Sequence, residues 1–234
     1  EDNAAIIKRL RVPPEFVGSS ARSGLFPPSS HVQYRFARRP EGAFGVDSEG
    51  RYSNPGPGGW IDFMDTVGIQ AAVLFPTQGQ RIGRIVNREY AIALAQAYND
   101  WLAETYLDRS PRFKGVAILP MHDPEAAVEE LQRAFTELGM NAALIPATGV
   151  QLDITHKQYW PLIEKAADLG CPLAVHGGGH WDLGMEAINV GAVANALGHP
   201  VSIMIVLGNM IFNGLFDRFP GLRMCFLEGG VSWL

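Results

Sequence analysis

The chain has 234 residues, of which 47% are hydrophobic and 18% charged, and its formal net charge is −5. This length and apolar content favour one large α/β domain with a substantial core, and they exclude a disordered or coiled-coil chain. The sequence has no basic block or Lys/Arg stripe, so nucleic acid is not an expected partner.

Residues 1–59 differ from the rest of the chain. They are rich in Pro, Gly, Ser and Arg, which prevents long helices and central strands. Aromatic residues such as Phe16, Tyr34 and Phe44 give this segment apolar anchors, which favours a lid over an active site rather than a disordered tail. We predict an irregular insertion or lid at 1–59 and a separate domain at 60–234.

From Trp60 onward the hydrophobic pattern predicts strands and helices in alternation. The predicted strands are Gln70–Phe75, Gly115–Leu119, Ala142–Ile145, Cys171–His176 and Leu222–Leu227. The predicted helices are Trp60–Val67, Val86–Leu107, a helix capped by Asp123 that runs through Leu138, Gln158–Leu169, and one or two more before Phe219. Strict alternation of this kind predicts a parallel sheet with helices packed outside it.

Two parallel architectures compete for this pattern. A doubly wound dinucleotide-binding sheet needs a spaced glycine fingerprint after a strand, and Gly177-Gly178-Gly179 lacks that spacing. A (β/α)8 TIM barrel typically has about 250 residues and eight strands. Only about five strands are predicted here, so the prediction is an incomplete TIM barrel.

Two of the predicted strands end on side chains that can bind a metal. The apolar strand from Cys171 ends at His176, and the strand from Leu222 is followed by Glu228; glycines come directly after both. Parallel α/β folds place their chemistry at the carboxyl ends of strands. These two strand ends predict a metal or acid/base site at the mouth of a barrel.

Several stretches of the sequence resemble one known family. They are residues 71–77, 119–124, 172–178, 198–200, 218–223 and 226–230, together with Trp233. On these stretches the chain resembles the amidohydrolase-related family, in the branch that resembles aminocarboxymuconate-semialdehyde decarboxylase. The run from Phe216 to Trp233 is the most specific part of the resemblance.

The resemblance implies a metal-dependent TIM barrel. It places His176 at a metal-binding histidine and Glu228 where the family has a histidine that acts as acid/base or as a further ligand. The family also has a paired metal motif on its first strand and an aspartate on its last. No first-strand motif is found upstream of Trp60, where His31 is isolated among polar residues, and no terminal strand with the aspartate follows Leu234. The resemblance therefore implies an internal fragment that contains about strands 2–6 of the eight.

Site roles follow from the chemistry of these side chains. A catalytic divalent metal needs three or four protein ligands and an open position. We predict His176 and Glu228 as ligands, and Glu228 with His199 as catalytic groups, although His199 beside Pro200 fits a helix-capping role equally well. An unpartnered carboxylate buried at Glu228 would cost several kcal/mol, which favours a site role. The predicted substrate-binding residues are His180, Trp181, His122 and Phe75.

The favoured function is a metal-dependent hydrolase, in which metal-activated water attacks an amide, ester or thioester carbonyl. The slight preference for hydrolysis rests on Glu228, since decarboxylases of the family carry histidine there. The first alternative is a nonoxidative decarboxylase of an aromatic or unsaturated acid. The second is a truncated barrel without catalysis. Zinc is the expected metal, ahead of manganese or iron.

The remaining expectations concern the compartment and the partners. Cys171 and Cys225 lie in predicted strands and are expected to be buried free thiols, because a disulfide framework needs more cysteines. The acidic first residues do not form a signal peptide, and the most apolar helix is too short and polar to span a bilayer. We expect a cytoplasmic protein with a small-molecule substrate and no membrane partner; a homo-oligomer is left open.

Overall fold

The computed structural model describes residues 56–76, 79–150, 152–177, 183 and 191–231. Most of the predicted lid at 1–59 therefore lies outside the described residues. The helices are α1 (Gly56–Val67), α2 (Arg88–Thr105), α3 (Pro124–Thr136), α4 (Trp160–Leu169), α5 (Gly191–Phe212) and α6 (Leu215–Arg218). The strands are β1 (Ala72–Leu74), β2 (Phe113–Ile118), β3 (Ala142–Pro146), β4 (Leu173–His176) and β5 (Met224–Leu227). Short 3-10 helices are η1 (Gly79–Arg84), η2 (Leu107–Arg109) and η3 (Lys157–Tyr159).

The sheet confirms the predicted architecture. Its five strands lie in the order β1-β2-β3-β4-β5, and every neighbouring pair is parallel. A doubly wound sheet reverses its strand order at a switch point, whereas a sector of a TIM barrel keeps the order of the sequence. The chain is therefore an incomplete barrel. At the outer strands, Val73 in β1 and Cys225 in β5 have exposed side chains.

The first helix begins earlier than predicted. It starts at Gly56 rather than at Trp60, so residues 56–59 of the predicted irregular segment are helical. Proline in the first turn of a helix costs no hydrogen bond, because the first N–H groups have no partner within the helix. Pro57 in this first turn is thus compatible with the helix, so the proline and glycine of this segment do not prevent helix formation.

The core lies between the sheet and the helices on its outer face. Strand residues of β2, β3 and β4 are almost completely buried, and so are the residues of α3 and α4 that pack against them. Leu144, Leu162 and Leu173 are each 0% exposed. Burying a leucine side chain stabilises the fold by roughly 1.5–3 kcal/mol, so this layer fixes the strand ends that carry the site.

The two cysteines differ from each other. Both are free thiols, but only Cys171 is buried, whereas Cys225 is exposed on β5. The expectation of a buried thiol is confirmed for Cys171 and wrong for Cys225, because β5 has a paired neighbour on one side only among the described strands. Burial raises the pKa of the Cys171 thiol to about 12, which keeps it protonated and unreactive.

A helix that crosses a bilayer needs about 20 predominantly apolar residues. No helix in the described part of the chain combines the length and the apolar character that this requires. This includes α5, the most apolar of them.

Asp123 caps α3 as predicted. Its carboxylate accepts hydrogen bonds from the backbone N–H groups of Glu125 (3.0 Å) and Ala126 (3.1 Å) and pairs with Arg88, and Pro124 occupies the first turn. The pKa of Asp123 is lowered, and the hydrogen bond from the Ala126 N–H is the largest cause. Burial raises this pKa, and the nearby Arg88 lowers it further.

We expect Asp123→Ala to lower the free energy of unfolding by about 1 kcal/mol at neutral pH, the usual value of an N-cap. Because the folded-state pKa is depressed, this contribution is present above the unfolded-state pKa and is lost as pH falls through the folded-state value. Urea unfolding at several pH values measures both effects. Asp123→Asn is the matched control, since its amide oxygen still caps the helix but no longer titrates.

Candidate metal centre

His176 and Glu228 meet at the carboxyl edge of the sheet. His176 is the last residue of β4 and is paired in register with Leu227, the last residue of β5. Glu228 follows Leu227, so the two parallel strands deliver both side chains to the same place. Nε2 of His176 lies 3.6 Å from Oε2 of Glu228, so the two predicted groups are neighbours.

His199 joins this pair from a helix. Its Nε2 also lies 3.6 Å from Oε2 of Glu228, and its ring centroid is 5.4 Å from that of His176, with the rings nearly perpendicular. The expected helix start at Pro200 is wrong: α5 runs from Gly191 to Phe212 with the proline inside it. His199 is therefore not a cap but an interior helix residue whose imidazole faces the strand ends.

The ring of His176 is held in one orientation. Its Nδ1 lies 2.6 Å from the carbonyl oxygen of Gly177, and a carbonyl only accepts, so Nδ1 carries the proton. Nε2 then has a free lone pair, which accepts a hydrogen bond from the side-chain amide of Gln80 at 3.2 Å. The side chain of His176 is only 4% exposed. This tautomer and this ring orientation are those of a histidine that ligates a metal through Nε2.

His199 is kept neutral by its surroundings. Burial is the largest effect and lowers the pKa of its imidazole; the nearby His176 lowers it further, while Glu228 and hydrogen bonding to the backbone of Gly177 raise it. A neutral imidazole is the form that binds a metal ion. The Ser202 hydroxyl donates to the backbone carbonyl of His199 at 3.0 Å and ties this turn of the helix.

Gly177 leaves the space that His199 occupies. A Cβ atom at position 177 would lie 2.6 Å from Nδ1 of His199, 2.9 Å from Oγ of Ser202 and 3.1 Å from Cα of His199. The backbone contact means that the helix, and not only a side chain, would have to move. The glycine after the strand therefore sets how closely α5 approaches His176.

We expect Gly177→Ala to displace His199 and to weaken metal binding at least about tenfold, comparable to the loss of a supporting residue. Overpacking should also lower the free energy of unfolding by roughly 1–3 kcal/mol. A metal titration and urea unfolding measure the two effects. Gly208→Ala, in the same helix with no atom within 4 Å of its new Cβ, is the control and should keep metal affinity unchanged.

Glu228 departs from expectation in its burial. Its side chain is 63% exposed, so Glu228 does not bear the cost of burying a carboxylate. The argument for a site role from that cost is therefore wrong. The backbone gives a different argument, because Glu228 has a φ of 61°. This left-handed conformation is uncommon for residues other than glycine and costs roughly 1–2 kcal/mol. Strain of this kind concentrates at functional sites.

We expect Glu228→Gly to raise the free energy of unfolding by about 1 kcal/mol relative to Glu228→Ala, because glycine adopts this conformation without strain. Both variants remove the carboxylate, so metal affinity should fall in both by a similar factor. Thermal or urea unfolding separates the two variants. Equal stabilities would show that the positive φ stores no strain.

The donor set fits a divalent metal. His176, His199 and Glu228 each offer one ligand atom, and these atoms all lie within 4.8 Å of one another. Ligands at about 2.1 Å from a tetrahedral ion are about 3.4 Å apart, close to the two 3.6 Å separations found here. Two imidazoles and a carboxylate are a set that zinc and manganese accept. These three residues could hold such an ion with positions left open.

The other predicted site residues lie elsewhere or outside the described residues. His122 follows β2 and is half-buried. Burial lowers the pKa of its imidazole, and the nearby backbone of Gly83 and Ile85 acts in the opposite direction. It therefore packs against η1 rather than in the group around Glu228. Phe75 is half-buried directly after β1. His180 and Trp181 lie outside the described residues, so their substrate role stays a prediction.

Sequence reasoning missed Gln80. It lies in η1, the 3-10 helix that follows β1, and its amide reaches Nε2 of His176. The signal that could have found it is the pair Gly79 and Gly83, four residues apart after a strand end. A Cβ atom at Gly79 would lie 2.2 Å from the side chain of Ile118, and one at Gly83 would lie 3.1 Å from the backbone nitrogen of Val150. The 3-10 helix η1 is therefore packed closely against the strand ends.

A parallel sheet in sequential order, with His176, His199 and Glu228 at its carboxyl edge, is the arrangement of a TIM barrel that carries its site at the carboxyl ends of its strands. A family model described as amidohydrolase matches residues 31–234. The chain belongs to the amidohydrolase family, as its resemblance predicted.

The chain is similar to curated decarboxylases. It is 29% identical over 170 residues to 2-amino-3-carboxymuconate-6-semialdehyde decarboxylase of Dictyostelium discoideum, which covers 72% of this chain and 46% of that protein. It is 30% identical over 182 residues to a gamma-resorcylate decarboxylase of a Polaromonas species, covering 70% of this chain and 52% of that protein. The chain thus spans about half the length of these relatives.

A solved structure shows the same likeness. The dihydroxybenzoic acid decarboxylase of a Polaromonas species, with bound manganese and the inhibitor 2-nitroresorcinol, is 30% identical. The match covers 70% of this chain and 52% of that chain, with a TM-score of 0.56.

These relatives correct the favoured function. Hydrolysis was preferred because Glu228 stands where decarboxylases of the family carry histidine, but the similar proteins are decarboxylases. The preference for a hydrolase is therefore wrong, and the alternative of a decarboxylase is the better supported one. The physical reason is that a carboxylate and an imidazole can both carry a proton at this position, so the substitution does not distinguish the two reactions.

Proposed function

We propose that this chain carries the metal-binding half of a nonoxidative decarboxylase that acts on an aromatic or unsaturated carboxylic acid. The observation that carries the proposal is the convergence of His176, His199 and Glu228 within 4.8 Å at the carboxyl edge of a barrel whose relatives remove carboxyl groups. A small aromatic acid would enter from the open side of this edge, where Glu228 is 63% exposed.

The reaction replaces a carboxyl group by a proton. The bond between the ring carbon and the carboxyl carbon breaks, its electron pair stays on the ring carbon, and that carbon takes up a proton while carbon dioxide leaves. A divalent ion, when bound, supplies positive charge that orients and stabilises the oxygens of the acid. Zinc is the ion we propose from the donor set, and manganese is its competitor because a similar enzyme holds it.

The residues divide the work as follows. His176, with its Nδ1 proton fixed on the Gly177 carbonyl, offers Nε2 as a ligand. Glu228 offers Oε2 as a further ligand, and its second oxygen passes a proton from water to the ring carbon, because the side chain is exposed. His199, 3.6 Å from the same oxygen, orients the carboxyl group. Half-buried Phe75, and His180 and Trp181 of the glycine-rich loop, stay proposed as substrate contacts.

The test is turnover of a panel of acids by the purified chain. The protein is stripped with a chelator and reloaded with Zn²⁺ or Mn²⁺, and metal content is measured before the assay. We expect carbon dioxide release equal to the loss of 2,6-dihydroxybenzoate or a related hydroxybenzoate, and binding of 2-nitroresorcinol as a non-reacting probe. Metal-loaded protein that hydrolyses activated esters and releases no carbon dioxide would contradict the proposal.

A further inference from the structure

The side-chain amide of Gln80 donates a hydrogen bond to the lone pair on Nε2 of His176, which a metal ion would need. Its amide nitrogen lies 3.2 Å from Nε2 of His176, and the Nδ1 proton held by the Gly177 carbonyl leaves Nε2 as an acceptor. An ion bound at Nε2 would have to displace this hydrogen bond. The amide would then lose its partner while its backbone stays in place.

The backbone of η1 keeps Gln80 beside the site after that displacement. There is no room for a Cβ at Gly79, which faces Ile118, or at Gly83, which faces the backbone of residues 148–150. Close packing on both sides of Gln80 holds this 3-10 helix against the ends of β2 and β3. A freed amide can therefore turn about its side-chain bonds but cannot leave the mouth of the barrel.

The rest of the triad lacks a donor for an anionic ligand. Glu228 donates only while it passes its proton to the ring carbon and otherwise accepts, and an imidazole that gives its lone pair to a metal has no N–H on that side. A carboxylic acid substrate brings oxygens that need N–H donors close to the ion. The primary amide of Gln80 carries two N–H groups and no charge, so it can donate without competing for the metal.

We propose that Gln80 is a substrate-positioning residue of the metal centre. Its amide donates to Nε2 of His176 while the centre is empty, and it donates to an anionic oxygen of the aromatic acid once the ion occupies Nε2. This inference rests on the proposed function for the class of its ligand. It makes two separate claims, one about metal affinity and one about ligand affinity, which can be measured without turnover.

The test compares Gln80→Leu and Gln80→Glu with the wild-type chain. Manganese affinity is measured by competition with a chelating indicator, and affinity for 2-nitroresorcinol is measured on metal-saturated protein by calorimetry. In Gln80→Leu we expect probe affinity to fall about 10- to 100-fold, the value of a hydrogen bond to a charged group. Metal affinity should stay equal or become up to about tenfold tighter, because no hydrogen bond is broken on binding.

The Gln80→Glu variant distinguishes the effect of hydrogen-bond donation from the effect of side-chain shape. The variant keeps the length of the side chain but replaces both N–H groups by acceptors, so probe affinity should fall at least as far as in Gln80→Leu. Restored probe affinity in this variant would show a merely steric role and would overturn the inference. Gln132→Leu, which replaces a half-buried glutamine on α3, is the matched control and should leave both affinities unchanged.

Two further outcomes would also overturn the inference. Metal affinity that falls more than about tenfold in Gln80→Leu would make Gln80 a metal ligand through its carbonyl oxygen. Unchanged probe affinity would leave it without a role toward the ligand. Failure of the proposed function is a different result, since it is the absence of carbon dioxide release by wild-type protein, and it does not depend on either Gln80 variant.

Discussion

Replacing His176 with alanine is expected to weaken metal binding by more than about 100-fold and to reduce decarboxylation in proportion. Loss of an outer-shell partner of a metal ligand typically costs 10- to 100-fold, and this variant removes the ligand itself. His176 is the member of the triad with the most constrained ring, because both of its nitrogens have defined partners. A chelator competition assay on the purified variant measures the effect directly.

The control for this variant is His156→Ala. His156 is exposed at the start of η3, where its ring accepts a hydrogen bond from the backbone N–H of Gln158 at 3.4 Å. It belongs to neither of the strand ends that carry the site. It should bind metal as the wild type does. If His176→Ala retains wild-type metal affinity while its circular dichroism shows an intact fold, the metal does not bind at the group formed by His176, His199 and Glu228.

The core of the site was predictable because parallel strands end together. His176 and Glu228 could be found from the sequence, since each follows an apolar run and precedes glycine, and parallel strands share their carboxyl edge. The register that pairs His176 with Leu227 then makes Glu228 a neighbour. The same regularity made the strand order predictable, because short links between strands and helices favour sequential neighbours.

The third group was harder, because a helix delivers it. His199 beside Pro200 has the pattern of a helix start, and sequence alone does not show that α5 continues through the proline. Tertiary packing decides this point: Ser202 ties the His199 carbonyl, and Gly177 lets the helix approach. Gln80 was missed for a related reason, since a single glutamine in a loop carries no periodic signal.

The chemistry was harder than the geometry. A metal, two imidazoles and a carboxylate serve hydrolysis and decarboxylation equally well. What distinguishes them is the substrate and how it is oriented, and the residues that would contact it include His180 and Trp181, which lie outside the described part of the chain. The residues at the strand ends therefore identified a site but favoured the wrong reaction.

The side chain of Asn99 links three elements: α2, which carries it, β2 and α3. It is completely buried on α2, and its side chain accepts from the N–H of Ile118 at 2.9 Å and donates to its carbonyl at 2.9 Å. It also donates to the Glu130 carboxylate at 2.6 Å. The pairing of β1 with β2 ends at Gly115, so Asn99 satisfies the backbone of β2 where β1 no longer reaches it. Arg133 completes the network by pairing with Glu130.

We expect Asn99→Leu to lower the free energy of unfolding by about 3–5 kcal/mol. Leucine of similar size leaves the backbone groups of Ile118 and one donor to buried Glu130 without partners, and each unsatisfied buried group costs about 1–3 kcal/mol. Urea unfolding followed by circular dichroism measures the loss.

Asn99→Asp keeps the shape of the side chain but places a second carboxylate against Glu130, so it should be nearly as destabilising. Exposed Gln96 on the same helix supplies the control, and Gln96→Ala should change stability by less than about 0.5 kcal/mol. A loss below about 1 kcal/mol in both Asn99 variants would show that water replaces the network.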